Sequence, residues 1–328
     1  MAAHRREAPD LLGIGSTKAG TTWLYRQLCR HPGIWMTPNK EISYFSATHP
    51  AGAGRDNPRY RLAHDLLRFG WHRDLVRFLL RLRSLDDWEH VRWWVRFYCG
   101  RRDDRWHRSL FARAPQGTLA GEFTPRYESC GDEDIRHMHA IAPHAKLLFM
   151  IREPVARFWS HFQMNRARGL APGDVIAEGL DLLLRPDGKA RLQYRETLRN
   201  YTRFFRAEQI LVIFYDAIRH DPQQLLTEVF EFLEIPCRDY SPAELAERVN
   251  EGTAPLPTPE SLRRIAVEKY RDDVQTLAQA LGGFAADWLD EMNLASLPEA
   301  AVGRVRPATV RLTAEIMARL DPQGGPSH

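Results

Sequence analysis

Short runs of apolar residues alternate along the chain with longer segments that carry apolar residues at helical spacing. Runs of strand length are expected at 10–15, 119–122, 146–151 and 210–214. Helices are expected between and after them, at about 21–31, 222–234, 242–250 and 259–281. Because strands that are apolar throughout are typical of sheets covered on both faces, this alternation predicts an α/β fold with a central parallel sheet flanked by helices.

The first apolar run ends in a loop of small and hydroxyl-bearing residues, which reads GSTKAGTTW from position 15 onward. Small residues let backbone N–H groups turn toward an anion, the following helix presents its positive end, and Lys18 adds a cation. An ATP-binding P-loop places Gly-Lys-Ser/Thr together, whereas here Lys18 precedes Gly20 and two threonines follow. The loop is therefore predicted to be a phosphate cradle that is not a Walker A loop.

A second candidate anion site follows the apolar run KLLFMI. Arg152 stands directly after this run, at the edge of the sheet where open α/β folds bind ligands. Pro154 suits the first turn of a helix, and Arg152, Arg157 and Ser160 can converge on an anion there. Arg157 can equally pair with Glu153 on its own helix. Two such sites predict a ligand with phosphates at two separated places.

With both segments in view, the chain resembles the sulfotransferases that use 3′-phosphoadenosine 5′-phosphosulfate (PAPS), both the heparan-type and the cytosolic enzymes. The segment KAGTTW is similar to the family's 5′-phosphosulfate loop, and REP followed by Arg157 and Ser160 is similar to its 3′-phosphate motif. Three further segments follow the family's order: HPGIWMTPNKEISYFS (31–46), GEFTPRY (121–127) and ILVIFYDAIRHDPQQLLTEVFEFLEIP (210–236). The resemblance covers roughly 10–46 and 105–290.

The resemblance implies a P-loop nucleotide-kinase-like sulfotransferase fold, PAPS as the sulfuryl donor, adenosine 3′,5′-bisphosphate (PAP) as the product, and no metal. Trp23 is expected to stack on the adenine, although its position also suits packing in the core. Tyr215 is either an adenine contact or a rim residue of the sheet. The residues expected to bind the nucleotide are Ser16, Thr17, Lys18, Ala19, Gly20, Thr21, Thr22, Trp23, Arg152, Ser160 and Tyr215.

Two residues are expected to act in catalysis. Lys18 neutralises charge on the leaving phosphate. Glu41 lies in KEISYF, which is similar to the heparan-type segment whose glutamate deprotonates the acceptor hydroxyl. Glu41 could instead form an ion pair with Lys40 or with an arginine of the insertion described below, and a histidine base remains open among the thirteen histidines.

One position departs from the family pattern. The heparan-type enzymes carry a lysine after the glutamate of GEFTPRY, whereas this chain has Phe123. The loss of this cation disfavours a polysaccharide as the acceptor and favours a flatter, more apolar acceptor.

We expect a leader at 1–9, a single domain at 10–320 and a flexible tail at 321–328. A helical insertion rich in arginine and tryptophan interrupts the domain at about 49–104. Its expected role is first an acceptor lid, second a homodimer contact and third a membrane surface. The membrane surface comes last because acidic residues interleave with the arginines. The tryptophans that suggest more than packing are Trp71, Trp88, Trp93 and Trp94.

Composition and charge limit the classes of partner that the chain is expected to bind. The net charge of +4 comes from dispersed lysines and arginines without a basic tail, so no nucleic acid is expected. The four cysteines lie far apart, which disfavours a zinc site. No apolar segment is long enough to span a bilayer, and no signal core precedes the first strand, so the expected location is cytoplasmic.

The predicted function is sulfation of a hydroxyl on a small molecule, with aromatic compounds and natural products as the first acceptors to test. A carbohydrate O-sulfotransferase is the alternative. Two further hypotheses come from other classes: an ATP-dependent phosphotransferase, disfavoured by the order of Lys18 and Gly20, and a non-catalytic nucleotide-binding module that binds partners through the insertion.

Overall fold

The structure, a computed structural model, describes residues 8–46, 88–184, 194–247, 257–293 and 306–321. Within them, six strands form a sheet in the order β2-β3-β1-β4-β5-β6. The strands are β1 (Leu11–Gly15), β2 (Ile34–Met36), β3 (Leu119–Phe123), β4 (Lys146–Ile151), β5 (Ile210–Phe214) and β6 (Thr309–Arg311). Strands β1 to β5 are parallel, and β6 pairs antiparallel with β5 at the edge.

Helices cover the sheet. In chain order the described helices are α1 (Thr21–Arg30), α2 (Trp88–Cys99), α3 (Asp104–Phe111), α4 (Asp132–Ile141), α5 (Pro154–Ala167), α6 (Val175–Leu184), α7 (Tyr194–Thr202), α8 (Ala217–His220), α9 (Pro222–Leu233), α10 (Pro242–Ala246), α11 (Glu260–Leu281), α12 (Gly283–Asn293) and α13 (Ala314–Leu320). One 3₁₀ turn, Pro125–Ser129, follows β3, and another, Ala207–Gln209, precedes β5.

The central strands are buried on both faces. Every residue of β1 and β5 is buried, and so is every residue of β4 after its first. Gly13 of β1 pairs with Leu148 of β4, which pairs in turn with Leu211 of β5. Because these strands are parallel neighbours, the segments that follow β1, β4 and β5 all emerge at one edge of the sheet.

The predicted fold class is confirmed. The strands expected at 146–151 and 210–214 have the predicted bounds, and the helix that begins at Pro154 is present. Strands β2 and β6 were not expected, because three residues are too few to show a periodicity. The expectations for the leader up to residue 7, for 47–87 of the insertion and its border, and for 322–328 of the tail lie outside the described residues.

The described end of the insertion packs against the domain. Trp93 and Trp94 on α2 are buried, and the Trp93 indole N–H donates to the carbonyl oxygen of Leu110 on α3 at 3.0 Å. These two tryptophans therefore have a packing role, whereas Trp71 lies outside the described residues. None of the helices that the structure describes is long and apolar enough to cross a membrane.

Candidate functional site

The loop between β1 and α1 has a backbone that only certain residues tolerate. Lys18 has φ 69° and Gly20 has φ 84°, both in the left-handed region. A Cβ atom on Gly20 would lie 2.8 Å from Cδ2 of Tyr215 and 2.7 Å from Cδ1 of Ile218. Gly20 is thus required both for its conformation and for the close approach of the segment after β5. The left-handed lysine marks a strained position of the kind found at ligand-binding loops.

This loop presents a positive surface. Thr21 and Thr22 begin α1, so their backbone N–H groups have no acceptor within the helix. Burial lowers the pKa of Lys18, and the nearby charges of Arg152 and Arg168 lower it further. A bound anion would relieve this repulsion and accept from the helix N-terminus. The arrangement is therefore suited to a phosphate or sulfate group.

Arg152 joins the loop to the end of β5. Its Nη1 donates to the carbonyl oxygen of Lys18 at 3.2 Å, and its guanidinium lies 4.3 Å from the centroid of the Tyr215 ring. The Tyr194 hydroxyl donates to the Arg152 carbonyl oxygen at 2.8 Å and accepts from its N–H at 3.1 Å. Lys18, Gly20, Arg152 and Tyr215, all selected from sequence, thus lie together.

A buried ion pair between Arg157 and Glu128 contacts the loop between β1 and α1. Nη2 of Arg157 lies 3.1 Å from both carboxylate oxygens of Glu128, and its Nε donates to the carbonyl oxygen of Thr17 at 3.2 Å. Glu128 also accepts from the Ser16 hydroxyl and, at 3.1 Å, from the Thr17 N–H. Arg157 therefore pairs with Glu128 rather than with Glu153, which instead caps α5. The described polar contacts of Arg157 brace the loop.

Breaking this pair is expected to destabilise the protein strongly. The Arg157 and Glu128 side chains are only 12% and 8% exposed. Arg157→Met leaves the Glu128 carboxylate buried without its cation, which costs about 3–5 kcal/mol of unfolding free energy. Urea denaturation measures the change.

The matched control is Arg319→Met, which removes the exposed pair with Glu315 on α13. This change is expected to cost about 0.5 kcal/mol or less. If Arg157→Met proves as mild as the control, the ion pair does not hold the loop.

Three other selected residues have different surroundings. Ala19, a residue of the loop itself, is fully buried. Trp23 is 5% exposed, and its indole N–H donates to the carbonyl oxygen of Leu245 on α10 at 3.3 Å. Ser160 is partly buried on α5, which begins two residues after Arg152. The adenine contact of Trp23 and the 3′-phosphate contact of Ser160 stay predictions.

The segment that carries Glu41 lies beside the loop. Nζ of Lys40 donates to Oγ1 of Thr21 at 3.0 Å and to Oγ1 of Thr22 at 3.2 Å. The same nitrogen lies 3.7 Å from Oε1 of Glu41. The ion pair with Lys40, the alternative to a catalytic role for Glu41, is therefore present, yet it is longer than a hydrogen bond. Glu41 remains 53% exposed and is accessible from solvent.

A buried polar cluster supports this segment from behind. The Glu122 carboxylate accepts from Thr124 and Tyr127 and lies 3.1 Å from Nε2 of His107. The Tyr127 hydroxyl in turn accepts from the Tyr44 N–H at 2.9 Å. Burial, together with the charge of Glu122, raises the pKa of Tyr127. Because His107 is fully buried, it cannot itself contact an acceptor.

Sequence reasoning missed Glu128, Arg168 and the position of Lys40. Glu128 directly follows GEFTPRY, and this proximity was the available signal. The distance between Arg168 and the loop in sequence left no signal at all. The position of Lys40 depends on how the segment after β2 folds back over α1.

Comparisons with known proteins agree with this geometry. A model of the sulfotransferase family matches residues 9–239. The chain is 23% identical over 254 residues to bifunctional heparan sulfate N-deacetylase/N-sulfotransferase 1 of Caenorhabditis briggsae, covering 72% of the chain and 24% of that protein. It is 29% identical over 140 residues to human heparan sulfate glucosamine 3-O-sulfotransferase 6, covering 41% of each. The chain thus spans less than half the length of these relatives.

A solved structure supports the fold. The sulfotransferase from Alicyclobacillus acidocaldarius superposes with a TM-score of 0.56 at 20% identity, covering 85% of this chain and 98% of that one. At this identity the likeness concerns the fold. The family model spans well over half of the chain and includes β1 to β5 with both candidate anion segments. The chain belongs to the sulfotransferase family.

Proposed function

We propose that this protein transfers the sulfuryl group of PAPS to a hydroxyl group of a small-molecule acceptor. One observation carries the proposal: the anion-binding loop and an accessible carboxylate lie side by side. The Lys40 amine contacts Thr21 and Thr22 of the loop and lies 3.7 Å from the Glu41 carboxylate. A leaving-group site and a candidate base are thus available within one site.

The donor supplies an activated sulfuryl group, and the loop residues fit it. The Lys18 amine and the free N–H groups at the start of α1 suit the 5′-phosphosulfate. Arg152, held on the Tyr215 ring beside the loop, suits a second phosphate, and Ser160 is proposed to complete that contact. An adenosine is proposed to lie between these two groups, beside the Tyr215 ring.

The proposed chemistry is a single in-line transfer. Glu41 accepts the proton of the acceptor hydroxyl as that oxygen forms a bond to sulfur. The bond between sulfur and the bridging phosphate oxygen breaks, and its electron pair remains on the 5′-phosphate of PAP. The ammonium group of Lys18 stabilises this growing charge, and in its half-buried position the attraction is stronger than in bulk water.

A carbohydrate acceptor is the second candidate, and two observations favour it. The curated relatives are named for heparan sulfate. The cation missing at Phe123 is replaced in space, because Nζ of Lys40 lies 5.8 Å from the centroid of the Phe123 ring. The absence of a lysine at this position is therefore a weaker argument for an apolar acceptor than the sequence suggested.

An acceptor screen tests the function. The protein is incubated with PAPS and a panel of phenols, aliphatic alcohols, hydroxylated natural products and heparan-type oligosaccharides, and mass spectrometry detects the gain of one SO₃ group. Sulfation of phenols or natural products supports the first candidate, and sulfation of the oligosaccharides supports the second. A protein that binds PAP but sulfates nothing in the panel would favour a binding module.

The nucleotide specificity is a separate prediction. PAP is expected to bind more tightly than AMP or ATP, because Arg152 and Ser160 are proposed to contact the 3′-phosphate. Losing a charge-assisted contact of this kind costs about 1.5–3 kcal/mol. Isothermal titration calorimetry with the three nucleotides measures the difference. Equal affinity for AMP and PAP would contradict the second anion site, and a preference for ATP would favour a phosphotransferase.

A further inference from the structure

Lys40 lies at the junction of the loop and the Glu41 segment. Its side chain is 16% exposed, and its amine donates to the hydroxyl oxygens of Thr21 and Thr22 at 3.0 and 3.2 Å. The carbonyl oxygen of Lys40 accepts from the Phe123 N–H at 3.2 Å, which ties the residue to the end of β3. Both ends of Lys40 are therefore fixed by the domain.

The direction of these hydrogen bonds has a consequence for the threonines. An ammonium group has protons to give and no lone pair to accept with. Both threonine oxygens must therefore accept from Lys40, and each hydroxyl keeps its own proton for another acceptor. Because Thr21 and Thr22 are the first residues of α1, an anion at the helix N-terminus is suitably placed to receive those protons.

The surroundings indicate that this amine is held for a purpose beyond surface charge. Burial lowers the pKa of Lys40, while the Glu41 carboxylate raises it. The amine also lies over the face of the fully buried Phe123 ring, a cation–π contact that fixes its position. A lysine with these neighbours has little conformational freedom left.

We propose that Lys40 is a positioning residue of the transfer site, which orients the Thr21 and Thr22 hydroxyls as donors toward the 5′-phosphate of the nucleotide. This assignment rests on the proposed function. It makes no use of the 3′-phosphate, so the two ends of the nucleotide provide separate measurements.

The test compares two ligands that differ only at the 5′ end. Calorimetry measures the affinities of PAP and of adenosine 3′-monophosphate for the wild type and for Lys40→Met. Lys40→Met is expected to weaken PAP binding about tenfold, the loss of a net charge-assisted hydrogen bond. The affinity for adenosine 3′-monophosphate is expected to stay within about twofold, which also shows that the variant is folded.

A double variant tests whether Lys40 acts through the hydroxyls. Thr21→Val/Thr22→Val removes both hydroxyls at nearly constant shape and is expected to weaken PAP binding. Adding Lys40→Met to this variant is then expected to change the affinity little, because coupled residues are non-additive. Additive losses would overturn the positioning role, and so would an unchanged PAP affinity in Lys40→Met.

The matched control is Lys146→Met. Lys146 lies 5.4 Å from the centroid of the Phe232 ring and 2.8 Å from a carboxylate oxygen of Glu234, but at the amino end of β4, the opposite edge of the sheet. Its PAP affinity is expected to equal that of the wild type, and a loss as large as that of Lys40→Met would overturn the assignment. If the wild type binds neither ligand, the proposed function fails, and the Lys40 assignment fails with it.

Discussion

Lys18→Met is expected to lower turnover by about 10²–10³-fold even at saturating PAPS, as the loss of one group that stabilises transition-state charge does in other enzymes. The reason is its position: Lys18 lies, in a left-handed conformation, in the loop that leads into α1, where the 5′-phosphate is proposed to bind. Negative charge on the leaving phosphate grows during transfer, so the lysine interacts more strongly with the transition state than with bound substrate. Initial rates with radiolabelled PAPS and an acceptor from the screen measure the loss.

Arg152→Met is the comparison for this prediction. Arg152 contacts the Lys18 carbonyl oxygen and the Tyr215 ring, and it is proposed to bind the end of the nucleotide that does not react. Its loss is therefore expected to weaken PAPS and PAP binding while leaving turnover at saturation nearly unchanged. If both variants change only the apparent affinity, Lys18 is a binding residue and has no special role in the transition state.

The convergence of Lys18 and Arg152 could be predicted from sequence because it follows from topology. Arg152 comes directly after one apolar run of strand length and Lys18 follows another by three residues, and parallel strands end at the same edge of a sheet. The pairing of β1 with β4 then makes the two segments neighbours. The direction of the strands and the place of each residue after its strand follow from the hydrophobic pattern, whereas the order of the strands is seen only in the structure.

The brace beneath the loop could not be predicted in the same way. Arg157 has Glu153 four residues before it, which is the spacing of a helical ion pair. In the structure Glu153 accepts from the Val155 and Ala156 N–H groups and caps the helix, so Arg157 pairs instead with Glu128 from the turn after β3. Tertiary packing decides which carboxylate pairs with Arg157, and no local sequence pattern predicts this choice.

The role of Phe123 shows a similar limit. Sequence comparison by position indicates that a cation is lost there, because it compares residues one by one. In the structure the amine of Lys40, from a different segment, lies over the Phe123 ring. The charge near a site depends on where the charged ends of side chains lie in space, and not on the positions of those residues in the sequence. Likewise, Trp93 and Trp94 on α2, which suggested a pocket or an interface, are buried in the core.

Glu41→Gln is expected to lower turnover by about 10²–10⁴-fold on an aliphatic alcohol, the range typical of general-base loss. The amide keeps the size of the side chain but cannot accept the acceptor's proton. Because Glu41 is 53% exposed and 3.7 Å from the Lys40 amine, its replacement should leave PAP affinity and stability close to wild type. Calorimetry with PAP and initial rates on the alcohol separate the two effects.

The size of the Glu41→Gln defect depends on the acidity of the acceptor hydroxyl. An acidic phenol is already partly ionised and needs little help from a base, so the Glu41→Gln defect is expected to shrink on such a substrate. The matched control is Glu231→Gln on the exposed face of α9, which should behave as wild type on both acceptors. A Glu41→Gln protein that binds PAP normally and sulfates the alcohol at the wild-type rate would exclude Glu41 as the base. The search would then turn to those histidines that, unlike the buried His107, can reach the acceptor.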